Sequence, residues 1–78
     1  MNISIVIPAY NEEKGIADTI DEIVKAVIIS GIEYELIVVN DGSTDNTLAI
    51  VKNKNVEVIN HKERKGYGAS LKTGIQHS

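Results

Sequence analysis

The chain has 78 residues, which limits it to one small domain, and 42% of them are hydrophobic, an ordinary share for a globular fold. Without cysteine it has no disulfides or cysteine-ligated metal, and its net charge of −3 argues against a nucleic-acid-binding surface. Ile and Val dominate, Phe and Trp are absent, and the aromatic residues are Tyr10, Tyr34 and Tyr67. This composition is typical of parallel strands buried on both faces.

The first predicted elements are a strand over residues 3–7 and a helix soon after it. Pro8 has no N–H for a sheet ladder, so we expect the strand to stop there. Asn11 is a good N-cap, and Glu12 and Glu13 would lie in the first helical turn, where the dipole favours acids. Apolar residues then recur with the helical period: Ile16, Ile20, Ile23, Val24 and Val27. Gly31 predicts a left-handed helix end.

Residues 34–39 predict a second strand, and its continuous apolar stretch from Leu36 onward indicates a central position in the sheet. A short helix is predicted from about Asp45 to Lys52, with Ser43 or Thr44 available as its cap. Its inward side would carry two apolar residues, Leu48 and Val51.

The third predicted strand, residues 56–60, alternates more in polarity, as an edge strand does. After the loop 62–66, a last helix is predicted from Tyr67 or Gly68 towards His77. Neither His61 nor His77 has the spacing of a metal pair, so we expect both on the surface.

These elements predict an α/β fold of order βαβαβα, a three-layer half of a Rossmann-like domain with parallel sheet order 3-2-1. In that order the apolar strand 3–7 lies at an edge, and an exposed flat edge favours pairing with another chain. We therefore expect either self-association into a homo-oligomer or coverage of this edge by the rest of a longer chain.

Two loops follow the first two strands, residues 8–13 and 40–45. Because the carboxyl ends of parallel strands lie at one edge of a sheet, these loops should form one site. The site would offer the flat ring of Tyr10 and the carboxylates of Glu12, Asp41 and Asp45.

Each of these residues also has a purely structural interpretation. The segment 41–45 is either only a capped turn or a site where Asp41 accepts a hydrogen bond from a base N–H or a sugar hydroxyl. Tyr10 either closes the core or stacks on a planar ligand, and Glu12 either complements a helix dipole or accepts from ribose or base. The segment 66–69 either starts a helix or cradles a phosphate, with Arg64 or Lys65 adding charge.

Three motifs in this order resemble the amino-terminal part of family 2 glycosyltransferases with the GT-A fold. They are Ile-Val-Ile-Pro-Ala-Tyr-Asn-Glu-Glu at 5–13, Ile-Val-Val-Asn-Asp-Gly-Ser-Thr-Asp at 37–45, and Arg-Lys-Gly-Tyr-Gly-Ala at 64–69, followed by Leu71 and Gly74. Many relatives carry an acid at the position of Asn40. An Asn at this position resembles the dolichol-phosphate mannose synthase-like branch of the family as well as other branches.

The resemblance implies binding of a nucleotide-diphosphate sugar, such as a UDP- or GDP-sugar. By position, Pro8, Ala9, Tyr10 and Glu12 would line the base and ribose pocket, with Tyr10 stacked on the base. The second motif would hold the base through Val39 and Asp41, the latter through a ring N–H. Lys65 and the turn 66–68 would lie near the nucleotide.

The family's Asp-x-Asp motif, which holds a divalent metal, and its catalytic base lie beyond the matched motifs. We therefore expect residues 1–78 to be the donor-binding portion of an enzyme that transfers sugar to a lipid-phosphate or saccharide acceptor. Mg²⁺ or Mn²⁺ is expected for the complete enzyme but not on this chain, which should be inactive alone. The competing hypothesis is a non-catalytic assembly module that pairs through the strand 3–7. The amino terminus lacks a signal-peptide pattern and no membrane span is predicted, so we expect a cytoplasmic location, or the cytoplasmic face of a membrane for a complete enzyme.

Overall fold

The computed structural model describes residues 2–78 and confirms the βαβαβα order. The elements are β1 (Asn2–Ala9), α1 (Ile16–Ser30), β2 (Glu33–Asp41), α2 (Thr47–Lys52), β3 (Glu57–His61) and α3 (Tyr67–His77). In this part of the chain the strands form one parallel sheet of order β1-β2-β3, which is the predicted order.

The central strand β2 is buried from Leu36 to its end, as its apolar sequence predicts. On one face of the sheet, Leu36 and Val38 pack in a core with residues of α1 and α2, among them Ile20 and Val51. α3 covers the opposite face so closely that a methyl group at Gly74 would clash with the side chain of Val6. The layers are therefore helix, sheet and helix.

β1 lies at an edge of this sheet, and within residues 2–78 it pairs only with β2. Ile5, Val6 and Ile7 are half-buried, in contrast to the fully buried centre of β2. The strand runs to Ala9, so the prediction that it stops at Pro8 is wrong. An edge strand tolerates proline because its missing N–H costs no ladder bond on the open side.

The predicted starts of the first two helices are also wrong. α1 begins at Ile16 after Gly15, so Asn11 is not its cap and Glu12 and Glu13 precede its first turn. α2 begins at Thr47 after Asn46, rather than at a cap on Ser43 or Thr44. Asn11, Ser43 and Thr44 instead form hydrogen bonds between the two loops. The predicted left-handed end of α1 is confirmed, with φ 72° at Gly31.

Among the helices of residues 2–78, none combines the length and the apolar character needed to cross a membrane.

Candidate functional site

The loops after β1 and β2 are joined by hydrogen bonds from side chains to backbone. The N–H of Asn11 donates to Ser43 Oγ at 3.0 Å, and the N–H of Thr44 donates to Asn11 Oδ1 at 2.8 Å. The N–H of Glu12 donates to the buried Thr47 Oγ1 at 2.8 Å. Asn11 has a φ of 50°, a left-handed conformation that Asn adopts more readily than most residues. We call this set of contacts the loop clamp, and it fixes the backbone that carries Tyr10 and Glu12.

Asp45 is the acceptor at the centre of the loop clamp. Its carboxylate accepts from the N–H of Glu13 at 3.3 Å, from the N–H of Thr47 at 2.9 Å and from the Thr47 hydroxyl. Partial burial acts to raise the pKa of Asp45, but these hydrogen bonds outweigh it and lower the pKa below its ordinary value. Asp45 therefore supports the loops and does not line the site.

Asp41, the last residue of β2, holds the loop after β3. Its Oδ1 accepts from the N–H of Lys65 at 2.8 Å, and its Oδ2 accepts from the N–H of Gly66 at 2.9 Å. The residue is only 3% exposed. Burial alone would raise the pKa of Asp41, but the Lys65 N–H, the His61 side chain and the Gly66 N–H together lower it to about 2. Asp41 is therefore an ionised carboxylate inside the protein at neutral pH.

His61 lies beside Asp41 and is 7% exposed, so the prediction of a surface position is wrong. It is the register partner of Asp41 in the neighbouring strand, and its Nδ1 is 2.9 Å from Asp41 Oδ1. Because a carboxylate only accepts, Nδ1 is the donor of this bond. Nε2 is 3.0 Å from Thr73 Oγ1 in α3, so His61 links the ends of the strands to the helix. His77 is exposed, as predicted.

Gly42 allows the loop after β3 to reach Asp41. Its φ is 71°, and a methyl group added there would collide with the backbone of Glu63 and Arg64. Only glycine combines this conformation with so close an approach of two backbones. Of the N–H groups of residues 66–69, which the sequence suggested for a phosphate, that of Gly66 binds Asp41 instead, together with the N–H of Lys65.

A cavity of about 270 Å³ opens at this edge of the sheet. Its lining residues come from the ends of β1 and β2, from the loops after β1 and β3, and from the start of α3: Pro8, Ala9, Tyr10, Glu12, Asp41, Arg64, Tyr67 and Ser70. Five of the seven residues predicted from sequence are in this set. Val39 is fully buried in β2 and the exposed Lys65 contributes a backbone N–H to Asp41, so neither side chain lines the cavity.

Three lining residues lie outside the predicted set. The guanidinium carbon of Arg64 is 4.0 Å from the centroid of the Tyr10 ring, a cation–π contact. Tyr67 is exposed, whereas Ser70 is fully buried. The Ser70 hydroxyl is near enough to Asp41 to help lower its pKa, but it makes no hydrogen bond of normal geometry within residues 2–78. Ligands of parallel sheets bind at the carboxyl ends of the strands, and this argument was applied only to the first two strands. Applied to the third strand, it would also have indicated His61 and the loop 62–66 as part of the site.

Other features of the described residues are less suited to ligand chemistry. Two wider clefts of about 610 Å³ lie at the amino ends of β1 and β2 and along α1, away from the strand-end loops where ligands of such sheets bind. From Asn2 to Ser78, no three His, Asp or Glu side chains converge as metal ligands. The cavity beside Asp41 is therefore the candidate site.

Comparisons with known proteins point to one family. The family model described as glycosyl transferase family 2 matches residues 4–78. A dolichyl-phosphate beta-glucosyltransferase of Trichomonas vaginalis is 39% identical over 96% of this chain and 25% of its own length. The corresponding Drosophila melanogaster protein is 30% identical over 96% of this chain and 27% of its own.

Among solved structures, the fold matches glucosyl-3-phosphoglycerate synthase from Mycobacterium tuberculosis in complex with uridine diphosphate. The TM-score is 0.80 at 28% identity, and the match covers 99% of this chain and 30% of that one. The chain thus spans about a quarter of the length of the curated relatives named above.

Proposed function

Because the chain belongs to glycosyl transferase family 2, we propose that residues 1–78 form the donor-binding portion of a glycosyltransferase that uses a nucleotide-diphosphate sugar. The observation that carries the proposal is the strand-end cavity, where Tyr10, Glu12 and the buried carboxylate of Asp41 come together. The acceptor we propose is a lipid phosphate or a saccharide, in keeping with relatives whose names specify dolichyl phosphate.

The chemistry of Asp41 favours particular bases. Its Oδ1 already accepts two hydrogen bonds, whereas Oδ2 accepts one from Gly66 and has a second lone pair left. Because Asp41 stays ionised, it accepts hydrogen bonds and cannot donate one. Uracil and guanine carry a ring N–H that fits such an acceptor, whereas cytosine and adenine present a ring nitrogen that is itself an acceptor. We therefore propose a uridine or guanosine diphosphate donor.

The remaining lining residues suit the rest of a nucleotide. The ring of Tyr10 offers a flat apolar surface on which a base stacks. The Glu12 carboxylate is exposed at the same cavity and is an acceptor for ribose hydroxyls. Val39 and Lys65 remain proposed binding residues by resemblance. By that resemblance Val39 would help to hold the base, and Lys65 would lie near the nucleotide.

The transfer step itself needs groups that this part of the chain does not provide. We assign it no catalytic residue, because no lining side chain has an evident role in breaking the sugar–phosphate bond. A divalent metal would neutralise diphosphate charge as the sugar leaves, and we propose that its main ligands lie outside residues 2–78, because no three His, Asp or Glu side chains converge within that range. We therefore propose that this chain binds the donor but does not transfer sugar alone. The cytoplasmic location stays a prediction.

Amide NMR titration of the chain with UDP, GDP, CDP and ADP tests this proposal. We expect UDP or GDP to shift resonances of residues 10–12, 39–41 and 64–70, and CDP and ADP to act much more weakly. Tyr10→Leu should weaken the binding, whereas Tyr34→Leu, at the opposite end of the strands, should not. The proposal fails if millimolar UDP and GDP leave these residues unshifted, or if CDP binds as well as UDP.

A second candidate function is assembly through the edge strand. It is favoured by the half-buried apolar residues of β1 and by the absence of a second partner strand within residues 2–78. Sedimentation velocity should then show a dimer that dissociates on dilution. Ser4→Lys should weaken the dimer, because a lysine on an edge strand opposes pairing, whereas Ile29→Lys on the exposed side of α1 should not. A strictly monomeric chain over a wide concentration range would exclude this candidate.

A further inference from the structure

The side chain of Arg64 lies where a base would have to stack. Its guanidinium carbon is 4.0 Å from the centroid of the Tyr10 ring, and both side chains line the candidate cavity. A guanidinium and a planar base both occupy the face of an aromatic ring: the cation is attracted to the negative face, and the base stacks on it by van der Waals and apolar contact. Arg64 therefore covers a ring face that the proposed ligand needs.

The backbone of Arg64 is fixed although its side chain is exposed. The next residue, Lys65, is held by Asp41, and Gly42 packs directly against the backbone of residues 63 and 64. No ion pair of residues 2–78 includes Arg64, so no carboxylate holds its guanidinium over the ring. The side chain is thus free to move away from Tyr10 while the loop stays in place.

We propose that Arg64 is a specificity-determining residue that opposes the base and attracts the diphosphate. In the free protein it competes with a base for Tyr10, and once displaced it binds the phosphates of the same ligand through its guanidinium. An unphosphorylated nucleoside therefore only competes with Arg64 for Tyr10, whereas a nucleoside diphosphate also gains the attraction between Arg64 and its phosphates. Arg64 thereby selects diphosphates over unphosphorylated nucleosides. This inference rests on the proposed function.

The charges around Arg64 fit this role. Asp41 already accepts three hydrogen bonds, from two backbone N–H groups and His61, so its charge attracts the guanidinium less strongly than an unpaired carboxylate would. Glu12 lines the same cavity, and its negative charge would repel a diphosphate unless a cation lay nearby. Arg64 is the cationic side chain among the lining residues.

The test compares uridine with UDP, or guanosine with GDP if the chain prefers that base, on the 78-residue chain and its Arg64→Ala variant. We expect Arg64→Ala to bind the nucleoside about two- to fivefold more tightly, since an exposed cation–π contact no longer competes. The variant should bind the diphosphate at least roughly threefold more weakly than the unmodified chain. Added salt should make this difference smaller, because it screens the attraction between Arg64 and the phosphates in the unmodified chain. Opposite changes for two ligands with the same base would not arise from a general loss of structure.

Lys62→Ala is the matched control, since Lys62 is an exposed cation of the same loop that does not line the cavity. It should leave nucleoside binding unchanged and weaken UDP binding less than Arg64→Ala does. Affinity changes of the same sign for both ligands, or no change for either, would overturn the role of Arg64 while the proposed function stands. If the unmodified chain binds neither ligand, the proposed function fails and this inference fails with it.

A second readout follows the arginine itself. In the free chain the side-chain resonances of Arg64 should be shifted upfield by the ring current of Tyr10, and Tyr10→Leu should abolish the shift. Saturation with UDP should also remove it if the base displaces the guanidinium. An upfield shift that persists in the UDP complex would contradict displacement.

Discussion

The loop clamp and the loop 62–66 both shape the candidate cavity, but they are held in different ways. In the loop clamp, the hydrogen bonds are distributed over Asn11, Ser43, Asp45 and Thr47. The loop 62–66 depends largely on one buried carboxylate, Asp41, which binds two backbone N–H groups and His61. A distributed network tolerates the loss of one member, whereas a single buried charge does not. The four predictions below test this difference, from the largest expected effect to the smallest.

The largest effect should come from Asp41→Asn. An amide of the same shape cannot accept with full charge, and its NH₂ group would face donors. Because hydrogen bonds to a buried charge contribute more than neutral ones, we expect a loss of about 3 kcal/mol in the free energy of unfolding, measured by urea denaturation. Asp21→Asn is the control, since that exposed carboxylate pairs only with Lys54 on the surface, and it should change stability by less than about 1 kcal/mol. Equal effects would show that Asp41 is not the main support of the loop.

Acid removes the charge of the same carboxylate without changing its atoms. The pKa of Asp41 is about 2 in the folded chain, below the ordinary value of 3.8, so the ionised form favours folding. Its contribution is complete above about pH 5, well above the unfolded value, and is lost as the pH falls to about 2 and below. The unfolding free energy of the native chain should decrease over this window, and that of Asp41→Asn should decrease less. A remaining slope is expected from Asp45, whose pKa is also lowered. Parallel pH profiles for the two proteins would contradict this assignment.

Gly42→Ala tests the close approach that brings the loop to Asp41. Both Gly42 and Gly31 have φ near 70°, but an added methyl group would meet backbone only at Gly42. We expect both substitutions to cost about 1 kcal/mol for the left-handed conformation, and Gly42→Ala to cost roughly 1 kcal/mol or more in addition. Thermal unfolding of the two variants isolates the steric part as their difference. If Gly31→Ala is equally destabilising, the approach of the two backbones is not a significant constraint.

The smallest effect should come from Thr47→Val in the loop clamp. The substitution keeps the buried shape but removes the hydroxyl that accepts from Glu12 N–H and donates to Asp45. We expect a loss of about 1 kcal/mol in stability, because Asn11, Ser43 and Glu13 still join the loops. A loss as large as that of Asp41→Asn would show that the loop clamp also depends on one residue.

The candidate site was partly predictable for a local reason. Tyr10, Glu12 and Asp41 were predicted to lie together, and they line one cavity, because each lies at or just after the end of a strand whose apolar pattern is clear, and strand ends converge in a parallel sheet. The sequence predicted that Glu12 lies in the first turn of a helix, but α1 starts only at Ile16. Glu12 is held at the cavity instead because the backbone of Asn11 and Glu12 binds Ser43 and Thr47. A sequence pattern predicts a helix cap from the residues next to it in the chain. It contains no information about a hydrogen-bond partner more than 30 residues away that takes the place of the cap.

The sequence by itself determined the βαβαβα order, the central position of β2 and the family, because apolar periodicity and ordered motifs are local properties of the chain. Only the tertiary structure decided that His61 is buried, that Asp41 is held by three donors and that Arg64 covers Tyr10. These facts depend on the register between strands and on the path of one loop. Both are fixed by contacts between distant residues, which no short segment of the sequence contains.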